Sequence, residues 1–219
     1  MNLQMVWVLL EKEFRLEFRK PSAFNGIILY VVSTIFISYL CFKHIVDPQA
    51  WTALFWIILL FASVNAAAKS FIQDSKAVML YYYTVAGAAE VIVAKIIYNC
   101  LLFCVVGLLS YLFYSIFIGN LIQNQGLFIG ALGLGCIGIS GLLTLVSAIA
   151  AKTQNGTGLM AILSFPLLMP LLLTLIKLTN YAVQGIAFSV CAKYLVVLGM
   201  MDIIVLSLSY LLFPYLWKD

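Results

Sequence analysis

The chain has 219 residues, of which 65% are hydrophobic and 9% charged, against roughly 25% charged in an average soluble domain. So few charges cannot cover that much apolar surface in water, so lipid must be part of the solvent and a soluble globular enzyme is excluded. The net charge of +4 is ascribed to membrane-surface loops, since no basic block with interleaved aromatics marks a nucleic-acid partner.

Residues 2–20 are amphipathic. Leu3, Val6, Leu10, Phe14 and Phe18 recur at helical spacing, while Glu11, Lys12, Arg15 and Arg19 occupy much of the other face. With Trp7 suited to an interface, this predicts a helix lying in the membrane plane, with Trp7, Phe14, Arg15, Phe18 and Arg19 meeting lipid. Charged residues before the first apolar run argue against a signal peptide. Pro21 ends the helix, giving an interfacial element over 1–21.

Six apolar runs follow, at about 24–42, 51–68, 92–118, 127–150, 158–176 and 195–216, each of the length a spanning helix needs. Together they predict an all-α polytopic membrane protein, one domain over 1–219 with its six spans within 24–216. The third span is long enough to tilt or project. The fourth carries Gly126, Gly130, Gly133, Gly135, Gly138 and Gly141, small residues that permit close helix approach. The run lacks the strand and the Lys-Ser/Thr of a phosphate-binding loop. The fifth carries Pro166 and Pro170, which should kink it. Of the 12 Lys and Arg, nine fall on one side and three (Lys43, Lys177, Lys193) on the other when the N-terminus is inside. This predicts both termini in the cytoplasm.

Two connections are longer than simple turns. The inner one, about 69–91, contains Tyr81-Tyr82-Tyr83-Thr84 and ends in a short helix from Gly87 to Lys95 that feeds the third span. Glu90 and Lys95, five apart, do not form an ideal helical pair and are expected to be available to a partner protein. The outer one, about 177–194, reads as a piece folded back at the outer surface.

Chemistry-bearing residues are sparse. His44 reads as a solvated loop residue. Cys100 and Cys104 lie one turn apart, but no nearby histidine or acid completes a metal site, and no catalytic residue or bound cofactor is expected. Asp202 is the exception, an ionisable group inside the sixth span, where such groups are costly. Its role is in substrate passage or a buried hydrogen-bond network, or else it snorkels or pairs with Lys193 on the outer side.

In order and spacing these features resemble the permease subunit of an ABC-2-type transporter, and within that group the haem exporter B family of cytochrome c maturation. The resemblance is carried by Glu13-Phe-Arg-Leu-Glu-Phe-Arg19, Ser70-Phe-Ile-Gln-Asp74, Glu90-Val-Ile-Val-Ala-Lys95, Leu132-Gly-Leu-Gly-Cys-Ile-Gly138 and Leu163-Ser-Phe-Pro-Leu-Leu-Met-Pro-Leu171. It departs from the family pattern at 76–83 and at Val85, where a proline is expected. The resemblance implies a separate cytoplasmic ABC ATPase that supplies ATP hydrolysis, and a homodimer of this chain in the inner membrane. It also implies other membrane haem-handling maturation proteins as partners, and haem as the handled ligand. ATPase contact is expected at Thr84, Gly87, Glu90, Val91 and Lys95. The alternatives are an ABC-2 permease for lipid or polysaccharide and a membrane assembly factor that transports nothing.

Overall fold

The computed structural model describes residues 3–19, 22–42, 47–72, 86–153 and 156–218. Every regular element among them is helical: α1 (Leu3–Arg19), α2 (Ser22–Phe42), α3 (Pro48–Ile72), α4 (Ala88–Phe117), α5 (Gln125–Ala150), α6 (Gly156–Val183) and α7 (Phe188–Lys218). All but α1 are long and apolar enough to cross a membrane. With no water in the bilayer core, each crossing segment must satisfy its backbone internally, and long helices do so.

Burial separates the centre of the bundle from its rim. In α5, 67% of the most apolar window is buried by protein, against 17% in α2 and in α7, which leave most of their surface to lipid. α5 packs against α3, α4, α6 and α7, and its small residues are what permit this crowding. A Cβ built on Gly138 would collide with Asp202 of α7 and Leu171 of α6, so only glycine admits both neighbours there.

The end of the bundle away from α1 is held by aromatic packing and a few cross-links. Trp51 stacks on Phe55 and meets Tyr114 edge-on. Trp51 Nε1 donates to Gly119 O at 3.0 Å, and Tyr114 Oη donates to Trp51 O at 3.1 Å. Thr52 Oγ1 donates to Asn180 Oδ1 at 2.7 Å, joining α3 to α6. Deeper in the bundle, Trp56 Nε1 donates to Thr179 Oγ1 at 2.9 Å.

The third span matches expectation: the helix predicted from Gly87 to Lys95 is continuous with α4. Most of the inner connection, 73–85, lies outside the described residues. The outer connection does not match. α6 continues to Val183 and α7 starts at Phe188, so the folded-back piece expected over 177–194 is replaced by a tight turn, with Gly185 at φ 67. Lys177 does not end the fifth span because its ammonium lies over the Tyr194 ring, 4.9 Å from the centroid. α6 is helical through Pro166 and Pro170, and Thr174 Oγ1 donates to the Pro170 carbonyl.

Candidate coupling junction at the start of the third span

α1 packs chiefly along the first turns of α4. Val6 and Leu10 turn inward to meet Ala94 and Tyr98. Glu13, one turn further on, places Oε1 3.4 Å from Lys95 Nζ and 2.7 Å from Lys12 Nζ. Lys95 is 2% exposed, and its ammonium also lies 4.5 Å from the ring centroid of Phe71, at the end of α3. Glu17 accepts a hydrogen bond from Tyr98 Oη at 3.1 Å. The interfacial helix, the start of the third span and the end of the second are thus joined through one buried ammonium.

The electrostatics follow from this placement. Burial works to raise the Glu13 carboxyl, but the ammonium groups of Lys95 and Lys12 outweigh it and hold Glu13 below the usual carboxylate range. A charge withdrawn from water stays there only when its partners are close and its hydrogen bonds are made.

The α4 terminus is itself built to be stiff. Gly87 N–H donates to Glu90 Oε2 at 2.6 Å, and Glu90 N and Val91 N bond to the Gly87 carbonyl. Glu90 therefore caps its own helix and favours the positive end of the helix dipole. Val91 is buried with Phe71, Ile92, Ile96, Ala148 and Phe213.

These contacts correct the reading of Val91 and Lys95 as partner-facing. Both side chains are buried in the bundle: Lys95 pairs with Glu13 of α1, and Val91 packs with Phe71 and Phe213. Gly87 and Glu90 remain at the accessible end of α4. Thr84, Tyr81–Tyr83, His44 and the divergent stretch 76–85 lie outside the described residues. On α1, Trp7 is 71% and Phe18 82% exposed, with Phe14 beside them in edge-to-face contact with Tyr98 at 5.3 Å. Arg15 is bonded to Glu11 one turn earlier and Arg19 is exposed, leaving an apolar stripe flanked by cations as an interfacial helix requires. Glu13 and Phe71, which complete the junction, were quoted for their motifs but not as site residues. The (i, i+4) run of apolar residues on α1 that places Glu13 beside α4 was their only local signal.

Asp202 does not pair with Lys193. Lys193 lies over the Tyr194 ring, 5.1 Å from its centroid, while Asp202 is buried between α5, α6 and α7. Among the described residues, no group of three or more His, Cys, Asp or Glu is arranged to hold a metal ion.

Six apolar helices around a glycine-bearing centre, with an interfacial helix bolted to one of them, define a polytopic α-helical membrane protein. The family described as CcmB protein matches residues 4–215. The chain belongs to that family, the haem exporter B family that its motifs resemble. Membership supports a haem-export permease role in cytochrome c maturation. No curated protein matches the chain.

Proposed function

We propose that this chain is the permease subunit of an ABC transporter in the cytoplasmic membrane. Both termini face the cytoplasm, and two copies of the chain work with two copies of a separate ATPase subunit. Haem delivery for c-type cytochromes outside the membrane is the task, with haem as cargo and other maturation proteins as recipients. The sequence has no phosphate-binding loop, so the chain must receive the work of ATP hydrolysis mechanically.

The observation that carries this reading is the Glu13–Lys95–Phe71 junction. A stiff, capped helix end continuous with a membrane span, clamped by a second helix lying along the cytoplasmic surface, is what a mechanical input requires. The ATPase contact is assigned to the cytoplasmic rim, Thr84, Gly87 and Glu90, with α1 beside it. Lys95 and Val91 act from inside, transmitting displacement from that rim to α3 and α4.

Val91→Pro tests the assignment. Proline at this position removes the Val91 N–H to Gly87 carbonyl bond and disturbs the buried contact with Phe71. The six apolar spans are untouched, so insertion should persist. The expected result is normal protein level with loss of ATPase co-purification and of cytochrome c maturation. Full retention of both in a normally produced variant would refute the reading.

A further inference from the structure

Asp202 of α7 is 3% exposed, and neither Oδ1 nor Oδ2 has a hydrogen-bond partner among the described residues. Its surroundings are close. Oδ1 lies where a Cβ on Gly138 of α5 would sit, with Leu171 of α6 against the same point. Hydroxyls on neighbouring turns are committed elsewhere: Ser140 Oγ donates to Ile137 O, Thr144 Oγ1 to Ser140 O, and Ser209 Oγ to Val205 O and Gly141 O. Lys177 and Lys193 both lie over Tyr194, roughly 12 Å further out along α7.

An unpaired polar group in a packed interior lowers stability, and an apolar side chain of similar outline would not. A carboxyl kept under those terms has its use in another arrangement of the same helices, as strained groups at functional sites do. A groove begins one helical turn along α7 from Asp202, at Leu206. With Cys100 and Ser140, Leu206 lines an apolar groove of about 740 Å³ between α4, α5 and α7 that extends to Tyr210 and Leu211.

We infer that Asp202 is a positioning residue of the transport cycle, unpartnered while α7 lies against Gly138 and satisfied by hydrogen-bond donors admitted from the groove when α5 and α7 part. The inference rests on the permease reading. Each helix arrangement then has its own advantage: tight apolar packing in one, a satisfied carboxyl in the other. Neither becomes a trap.

The test is Asp202→Leu, which keeps a γ-branched outline and removes both oxygens. The expected result is a Tm raised by at least about 2 °C, together with a fall of about tenfold or more in cytochrome c maturation, at equal protein level in a strain lacking its own copy. A merely structural residue would lose stability on substitution. An unchanged or lowered Tm overturns the inference, as does full maturation. If the leucine variant is not produced, Asp202→Asn decides: loss of maturation without loss of Tm supports the inference, and full maturation overturns it. Failure of the wild-type chain to restore maturation would count against the permease reading itself, while the Tm comparison would still stand.

Discussion

Replacing Glu13 with alanine should release the interfacial helix. The pair that it breaks is largely dry, with side-chain exposures of 3% for Lys95 and 15% for Glu13. Removing one partner of such a pair costs about 3–5 kcal/mol. The Phe71 ring stays beside Lys95 and offsets about 0.5–2 kcal/mol of this, so a net loss of about 1–4.5 kcal/mol is expected. Because α1 packs chiefly on α4, the loss should fall on α1 before the bundle. Backbone hydrogen exchange across residues 3–19 should therefore speed up at least about fivefold and up to about 1,600-fold, since each 1.4 kcal/mol is tenfold. The exchange of α5 should not change. Acid should reproduce the effect in the unmodified protein. Glu13 sits below the usual carboxylate range, so its contribution is fully present above the ordinary Glu value of about 4.3. It is lost only as the pH falls through the lower folded-state value. Exchange across α1 that stays within about threefold of the unmodified protein in Glu13→Ala would show that the pair does not hold the helix.

Trp56→Phe removes the buried bond to Thr179 and some packing volume. It should cost about 2–3 kcal/mol, read as a Tm lower by about 4–12 °C; a change under about 1 °C would contradict the packing described. Reporter fusions at 47, 122 and 185 should all score as external, and a cytoplasmic score at any two would invert the topology. Native mass spectrometry of the ATPase-bound complex should show two copies of this chain, and one copy would refute the homodimer.

The spans were legible because lipid imposes a simple rule on sequence: apolar runs of the right length must become helices. α2, α4 and α5 therefore fall close to their expected bounds. The fifth span was drawn too short because Lys177 looked like a terminus. A ring contributed by Tyr194 on the next helix was needed to keep that ammonium at the rim. Lys95 failed for a related reason. Spacing within one helix reports only neighbours on that helix, and the partner of Lys95 lies in α1. Asp202 was recognisable as expensive from its position alone, but its lodging against Gly138 depends on how α5 and α7 cross, which no local pattern encodes.

α4 runs unbroken for 30 residues, about 45 Å, against a hydrocarbon thickness of about 30 Å. It is a rigid rod longer than the barrier it crosses. It meets α5 closely at Gly107, where a Cβ would lie 3.2 Å from Leu132, and a rod held there can rock about that point. That fulcrum is about 28 Å from the inner end and about 15 Å from the outer end. A displacement of about 2 Å imposed beside Glu90 would therefore arrive as about 1 Å of opposite motion at Ile118, next to the carbonyl of Gly119 that Trp51 grips. In the proposed cycle that leverage would trade distance for force, and the force would fall on the aromatic packing around Trp51 at the other end of the rod.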